Sequence, residues 1–244
     1  EALKRDWIVG VAGDAFYASV CARREEISQL ATSERSCGVL LAEAEPVAFA
    51  AVFFAALSLR VPIILANPNW GLQECEELRQ VVAPSMCFGM ELDGAHLGAP
   101  DLPEGSILIP TGGSTGGVKF AIHSFQSLKA ACLGVQDFLG GGAINSCCVL
   151  PLYHVSGLMQ LLRSYFSSGC IRFDDTKVEG SCLSYVPTQL QRALVDPLRV
   201  KKLESAKAIF IGGGPIPLSV AAQARELKLP IVPVYGMTET AAMV

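Results

Sequence analysis

The stretch Pro110–Ser124, PTGGSTGGVKFAIHS, concentrates residue types that bind phosphate. Its consecutive glycines let backbone N–H groups converge on an anion, because no Cβ blocks the approach. Thr111, Ser114 and Thr115 add hydroxyl donors, and Lys119 adds a cation. The stretch therefore predicts a phosphate-binding loop, with a plain Gly/Ser turn between two strands as the alternative for the loop taken alone.

Two familiar nucleotide-binding loops do not fit this stretch. Gly112 and Gly117 have the spacing of a Walker A loop, but Val118 stands at its lysine position. Lys119 comes one residue late, and Phe120 follows it where a magnesium-binding hydroxyl would be needed. The loop also leads into a strand-like run, KFAIH, where a Walker A loop leads into a helix. A dinucleotide-binding fingerprint is absent as well, since no G-x-G-x-x-G follows a strand with an acidic residue about 20 positions later.

Two later motifs carry further candidate residues. They are PLYHVSG, Pro151–Gly157, and YGMTET, Tyr235–Thr240. Taken singly, each has a structural explanation: a histidine after a buried strand is more often a structural residue, and a tyrosine at a strand end is often half-buried. The order of the three motifs along the chain is what makes them informative together.

Short β-rich runs alternate with helical runs along the chain, which predicts an α/β fold with parallel sheets covered by helices. Ligands of such folds bind at the carboxyl ends of the strands. The unusual sequences lie at such ends, after Ile109, Leu150, Ile211 and Val234. The longest apolar run, Val47–Leu59, is too short to cross a bilayer and indicates a buried core helix.

Composition and charge limit the kinds of partner and metal site to expect. The 244 residues carry a net charge of −4 with a pI near 5.4, and the basic residues are scattered, so no nucleic-acid partner is expected. The nine cysteines form no C-x-x-C pair and there are only three histidines, which argues against a zinc site. Small buried cysteines in a reducing cytosol are the expected explanation.

The glycine loop, P-L-[aromatic]-H-x-x-G and Y-G-x-T-E, in this order, resemble the acyl-adenylate-forming superfamily of acyl-CoA ligases, luciferases and adenylation domains. The form PTGGSTGxxKFAIH is most similar to the 2-succinylbenzoate–CoA ligases of phototrophs, as are ANPNWG, HVSGLMQ, VPTQLQRAL and YGMTETAAMV. The loop departs from the common family pattern at Gly112, Val118 and Phe120.

The resemblance implies two packed α/β subdomains with mainly parallel sheets, layered αβαβα. Residues 1–244 would form the N-terminal adenylating region, with approximate subdomains at 31–139 and at 1–30 plus 140–244. The family continues with a small mobile C-terminal domain that these residues lack, so we expect the N-terminal portion of a longer enzyme.

The resemblance also assigns roles to individual residues. The β- and γ-phosphates of ATP would be held by Thr111, Gly112, Gly113, Ser114, Thr115, Gly116 and Lys119. The adenine and α-phosphate would contact Gly213, Gly214, Pro215, Tyr235, Gly236 and Thr238. The acid would be bound by His154, Ser156 and Gly157. Glu239 would bind Mg²⁺, and catalysis would involve Lys119, His154, Thr238 and Glu239.

The implied activity is ATP-dependent activation of 2-succinylbenzoate followed by thioester formation with CoA, in menaquinone or phylloquinone synthesis. The implied cofactors and partners are ATP, Mg²⁺, CoA and a small carboxylic acid, in the cytoplasm, possibly as a homodimer and without a membrane span. Two alternatives stay open: a ligase for another aryl or fatty acid, and a nucleotide-binding module without turnover.

The second carboxylate of 2-succinylbenzoate needs a partner or solvent. Arg163 and Arg192 are candidates on charge alone. Their helical settings favour a solvated face for both side chains.

Overall fold

Strands and helices alternate along the chain in the computed structural model, and the predicted α/β fold with two mainly parallel sheets is confirmed. The structure describes residues 1–29, 38–92, 102–111 and 117–243. Two compact units are present. The first comprises Glu1–Arg5 and Val11–Ser127, and the second comprises Asp6–Gly10 and Leu128–Val244.

The first unit contains a five-stranded sheet with the order β3-β1-β2-β4-β5. Its pairs are parallel except for the antiparallel pair of β4 and β5. The strands are β1 (Val39–Leu41), β2 (Ile63–Leu65), β3 (Met86–Phe88), β4 (Ser106–Thr111) and β5 (Lys119–Ser124). The helices are α1 (Gly13–Ser28), α2 (Pro46–Ser58) and α3 (Leu72–Val81).

Helix α2 is the core helix that the apolar run predicts. Pro46 occupies its first turn, where a missing N–H costs nothing, and the Glu45 carboxylate accepts hydrogen bonds from the backbone N–H groups of Val47 and Ala48. Every residue from 49 to 56 is buried. Among the described residues, no helix combines the length and the apolar character needed to cross a bilayer.

The second unit contains a five-stranded parallel sheet with the order β10-β9-β8-β6-β7. The strands are β6 (Ser146–Cys147), β7 (Ile171–Arg172), β8 (Cys182–Tyr185), β9 (Ala208–Ile211) and β10 (Ile231–Pro233). The helices are α4 (Phe125–Phe138), which begins in the first unit, α5 (Val155–Phe166), α6 (Pro187–Leu194), α7 (Pro197–Leu203) and α8 (Leu218–Glu226).

Side chains alternate between the two faces of this sheet, because successive residues of a strand point to opposite sides. Leu183, Tyr185 and Ile209 pack in a core with residues of α6, α7 and α8. Cys182 and Phe210 pack on the other face, in a cluster that includes residues of α4. The two faces therefore carry separate cores, and neighbouring residues of β8 and β9 contribute to different ones.

The sequence-based assignment was incomplete in the second unit. The sequence predicts a strand end after Leu150, but β6 already ends at Cys147. Pro151 then begins a turn that is closed by the hydrogen bond from His154 N–H to Pro151 O. Strands β7 and β8 and helix α7 of the second unit were not predicted, and neither were strand β3 and helix α1 of the first unit. The cysteines also differ from the expectation, because Cys21 is exposed while Cys132, Cys147, Cys148 and Cys182 are buried.

A glycine permits the close approach at the start of α5. A Cβ on Gly157 would lie 2.1 Å from the carbonyl oxygen of Pro151, which is backbone and cannot rotate away. Gly134 in α4 provides the opposite case, since a Cβ there would have no atom within 4 Å.

We therefore expect opposite stability effects from two glycine-to-alanine changes in helices. Gly157→Ala should lower the free energy of unfolding by about 1–3 kcal/mol, as overpacking does. Gly134→Ala should raise it by up to about 1 kcal/mol through helix propensity. Urea unfolding of both variants measures the difference. If Gly157→Ala were as stable as the wild type, the proposed close approach of α5 to Pro151 would be wrong.

Candidate functional site

Strands β4 and β5 pair antiparallel, and the glycine-rich sequence lies between them along the chain. Thr111 and Lys119 are register partners at the ends of these strands, so their side chains lie on the same face of the hairpin. Lys119 is exposed and Thr111 is half-buried. The other residues predicted to bind phosphate lie outside the described residues; they are Gly112, Gly113, Ser114, Thr115 and Gly116.

In the second unit, the predicted motifs follow neighbouring parallel strands. The segment PLYHVSG follows β6, the Gly213–Pro215 segment follows β9, and YGMTET follows β10. Because these strands lie side by side with β8, their carboxyl ends form one edge of the sheet. This is the edge at which ligands bind in parallel α/β folds.

His154 precedes the first residue of α5, and its ring centroid lies 4.8 Å from that of Tyr153. Partial desolvation of the ring lowers the imidazole pKa from its ordinary value. The imidazole is therefore neutral at pH 7 and offers hydrogen bonding rather than charge. Ser156 and Gly157 follow it in the first turn of the helix.

Arg163 is buried, which corrects the expectation of a solvated face. Its exposed fraction is 2%, whereas Arg192 on α6 is exposed as expected. The Nε of Arg163 has no hydrogen-bond partner among the described residues, and no ion pair found there includes it. The guanidinium lies over the ring of Phe210, 5.5 Å from its centroid.

In the part of the chain that the structure describes, no carboxylate acts on the charge of Arg163. Burial lowers the pKa of its guanidinium, which still remains a cation because that pKa is ordinarily so high. The ionisable groups that act on it are the thiols of Cys132, Cys148 and Cys182. Burial raises the pKa of Cys132 and of Cys148 to about 12 and also raises that of Cys182, so the thiols are uncharged at pH 7.

Arg163 lines a cavity of about 60 Å³ at the carboxyl edge of the sheet. Two of the predicted site residues, Ser156 and Gly213, line it too. Ser184 of β8 also contributes, and its buried hydroxyl has no hydrogen-bond partner among the described residues. A cavity of this size has room for a carboxylate group or about two water molecules.

Gln160 completes a polar row on α5. It lies one turn after Ser156 and one turn before Arg163, so the three side chains share a helix face. Its Nε2 donates to the carbonyl oxygen of Ser156 at 3.1 Å, while its buried Oε1 has no partner among the described residues. Gln160 and Ser184 were not predicted from the sequence; polar residues inside apolar runs were the available signal.

The segment after β10 forms a tight turn. Thr238–Thr240 is a 3-10 helix, and Thr240 Oγ1 accepts a hydrogen bond from Met237 N–H at 3.1 Å. A Cβ on Gly236 would lie 1.8 Å from the carbonyl oxygen of Ala242, so only glycine fits this position. The side chain of Glu239 is exposed, as is Tyr235, whose exposed fraction is 71%.

A hydrogen-bonded triad supports β8 from the face opposite Ser184. The hydroxyl of Tyr185 donates to Asp175 Oδ2 at 2.9 Å and accepts from Arg199 Nη2 at 3.1 Å, while Arg199 also pairs with Asp175. Tyr185 is only 2% exposed, and desolvation is the main cause that raises its pKa to about 12. The strand end that carries Ser184 is thereby tied to the loop before it and to α7.

Comparison with known proteins identifies related sequences. The family described as AMP-binding enzyme matches residues 99–244. The 2-succinylbenzoate–CoA ligase of Enterococcus faecalis is 33% identical over 157 residues, which cover 59% of this chain and 32% of that protein. The 2-succinylbenzoate–CoA ligase of Escherichia coli is 33% identical over 160 residues, which cover 63% of this chain and 35% of that protein. The chain thus spans about a third of these relatives.

Solved structures share the fold over nearly the whole chain. Wild-type E. coli MenE with a bound m-phenylether-linked analogue of OSB-AMS matches with a TM-score of 0.72 and 24% identity, covering 96% of this chain and 56% of that one. ATP-bound MatB from Rhodopseudomonas palustris matches with a TM-score of 0.76 and 18% identity, covering 96% and 55%.

The raised pKa of Tyr185 predicts the alkaline behaviour of the second unit. An ultraviolet titration should show a phenol with a pKa of about 12, which is lost in Tyr185→Phe and kept in the control Tyr235→Phe. Because the folded-state pKa lies above the unfolded value near 10, the stabilisation is complete below about pH 10 and is lost as the pH rises towards 12. Stability measured across this range should fall less steeply in Tyr185→Phe, and an unchanged slope would contradict the assignment.

Proposed function

Since the chain belongs to the family of AMP-binding enzymes, we propose that it supplies the nucleotide- and acid-binding part of a 2-succinylbenzoate–CoA ligase. The whole enzyme would join 2-succinylbenzoate to ATP as an acyl-adenylate and then transfer the acyl group to CoA, in menaquinone or phylloquinone synthesis. Residues 1–244 would be its adenylating region, with the approximate subdomains 31–139 and 1–30 plus 140–244. The names of the relatives that match at 33% identity support this choice.

The observation that carries the choice of acid is the buried guanidinium of Arg163. 2-Succinylbenzoate has one carboxylate to activate and a second on its ring, which must be paired when it leaves water. Arg163 lines a cavity of carboxylate size with the unpartnered hydroxyl of Ser184, and no acid competes for it among the described residues. Both groups donate hydrogen bonds, as an anion requires.

The first step needs no general base. The attacking carboxylate is already ionised at pH 7, since an aliphatic carboxyl has a pKa of about 4. The task of the protein is to hold this anion in line with the α-phosphate and to offset the charges of both. The neutral imidazole of His154, with Ser156 and Gly157 in the same turn, would position the acyl group by hydrogen bonds and contacts.

The nucleotide would contact the residues that the family resemblance assigns to it. Thr111, Lys119 and the glycine loop between them would bind the β- and γ-phosphates, and Thr238 the α-phosphate. The exposed ring of Tyr235 is available for stacking on adenine beside the Gly213–Pro215 segment and Gly236.

Glu239 fits a magnesium ligand. Its carboxylate is exposed on the turn after β10 and has no ion pair among the described residues, which suits a cation that prefers oxygen ligands. Mg²⁺, when bound, offsets phosphate charge. A single protein carboxylate is a common arrangement where ATP phosphates provide further ligands.

Calorimetry with two non-hydrolysable adenylate analogues tests the acid assignment. One carries the 2-succinylbenzoyl group, and the other carries 4-oxo-4-phenylbutanoyl, which lacks only the ring carboxylate. The wild-type chain should prefer the first by about 10- to 100-fold, because a buried charge-assisted pair distinguishes them. Arg163→Met should remove this preference, while the matched control Arg192→Met should keep it.

The outcomes of this experiment test the adenylating site and the choice of acid separately. Equal binding of both analogues by the wild type would keep the adenylating site and reject 2-succinylbenzoate. Binding of neither would reject the proposed site in this chain. Arg163→Met should remain folded, because replacing an unpaired buried charge by an apolar side chain removes a desolvation cost.

The magnesium role of Glu239 predicts a change in how ATP binds. The wild type should bind ATP more tightly with Mg²⁺ than without it, and Glu239→Gln should reduce this ratio several-fold. Binding without Mg²⁺ should tighten slightly in the variant, because a negative charge near the phosphates is removed. The exposed Glu226→Gln on α8 serves as the control. An unchanged magnesium effect in Glu239→Gln would reject the role.

A further inference from the structure

Phe210 lines two cavities of different character. Its ring lines the Arg163 cavity of about 60 Å³ and also a groove of about 410 Å³ on the second unit. The residue is 2% exposed and lies in the interior of β9. On the side of the Arg163 cavity, its ring faces the guanidinium at 5.5 Å. One side chain thus contacts both the buried cation and the space behind it.

The groove is apolar. Helix α4 forms one wall and the β10 segment the other; the lining residues besides Phe210 are Ala131, Gly134, Val135, Phe138, Val232, Pro233, Val234, Tyr235 and Met243. None of these side chains is charged at pH 7, and the phenol of Tyr235 is the one polar side chain among them. Its volume lies in the range of small-molecule sites, about 300–1,000 Å³.

We propose that Phe210 is a specificity-determining residue for the acid: its ring closes the acid pocket at Arg163 and excludes the apolar groove from it. This inference rests on the proposed function. The pocket of the wild type then selects a compact aryl group with a carboxylate. Acids with a larger uncharged ring are rejected, since they would leave Arg163 unpaired and have no room beyond it.

The physical basis is an asymmetry between the two spaces. An uncharged ring placed in the Arg163 cavity would leave a desolvated cation without a partner, which is a strong source of rejection. The same ring placed in the groove would bury apolar surface against α4 and β10, which is favourable. Phe210 determines which of these spaces the acid reaches.

Val234 and Met243 also line both cavities, but they follow β10 rather than belonging to a strand. Phe210 is held by the ladders on both sides of β9 and contacts the guanidinium itself. Substitution at Phe210 therefore changes the size of the side chain between the two cavities while the backbone stays in place. This makes Phe210 the most useful position for the test.

The test compares two adenylate analogues by calorimetry. One carries 2-succinylbenzoyl, and the other carries 4-(1-naphthyl)-4-oxobutanoyl, which keeps the linker but has a larger uncharged ring. Phe210→Leu keeps an apolar side chain and opens the wall. We expect it to bind the naphthyl analogue about tenfold more tightly than the wild type does, the scale on which apolar pocket size discriminates.

A second substitution, on helix α4, fills the apolar groove from the side opposite Phe210. Gly134→Leu adds a side chain where no atom lies within 4 Å of the new Cβ, and it does not touch the Arg163 cavity. In the Phe210→Leu background it should return the naphthyl affinity to the wild-type value. Ala130→Leu, at an exposed position of the same helix outside the groove, should leave the gain intact.

Failure of this inference is distinguishable from failure of the proposed function. Suppose that the wild type binds the 2-succinylbenzoyl-AMP analogue but Phe210→Leu binds the naphthyl analogue no more tightly than the wild type does. The barrier role of Phe210 is then wrong, while the proposed function stands. A gain in naphthyl affinity that Gly134→Leu does not reverse also rejects the barrier role of Phe210.

If neither analogue binds any folded variant, the proposed function fails. Binding of a neutral solvatochromic naphthalene dye then tests whether Phe210 closes the apolar groove. Phe210→Leu should then bind the dye more tightly than the wild type, with a further blue shift of emission, and Gly134→Leu should reverse this. Equal dye binding in the wild type and Phe210→Leu would reject the wall. Circular dichroism confirms that each variant is folded.

Discussion

The candidate acid site of the second unit depends on the buried guanidinium of Arg163, whose Nε has no hydrogen-bond partner among the described residues. Removing such a cation from water is costly unless an anion and hydrogen bonds compensate. The surroundings offer the face of Phe210 and uncharged thiols, which moderate the cost without neutralising the charge. The unpartnered hydroxyl of Ser184 beside it is a donor as well. Among the described residues, this environment offers two hydrogen-bond donors, one of them a cation, and no carboxylate, which supports the proposal of an acidic ligand.

The geometry of that environment depends on the alternation of side chains along β8. Ser184 faces the cavity, while Tyr185 points to the opposite core and ties the strand end to Asp175 and Arg199. A one-residue shift of the strand would exchange the two side chains and place a phenol where the hydroxyl is needed. The hydrogen-bonded triad on the far face therefore supports the register that presents Ser184.

The sequence predicted the fold class, the core helix α2 and the strand ends at which the motifs lie, because strand–helix alternation and apolar runs report directly on burial. It did not predict the burial of Arg163. Helix α5 mixes Gln160, Arg163 and Ser164 with leucines and resembles a half-solvated helix, yet every residue from 157 to 164 is buried. Ser184 was missed for a related reason, since β8 itself was not predicted. A sequence pattern reports whether a residue type usually lies in solvent or in the core, and a polar residue buried at a binding site departs from that preference.

Charge placement also separates affinity from catalysis in the proposed reaction. Arg163 would contact a carboxylate that takes no part in bond formation, so the contact is the same in the ground state and in the transition state. Such uniform binding lowers KM without raising kcat. Lys119, Thr238 and Glu239 would instead act where charge is redistributed as pyrophosphate leaves, and their contribution appears in kcat. A neutral His154 fits this division, because a cation beside the attacking carboxylate would stabilise the nucleophile and raise the barrier. In the proposed reaction, the residue that selects the acid would therefore differ from the residues that offset charge during activation, and the two sets could change independently.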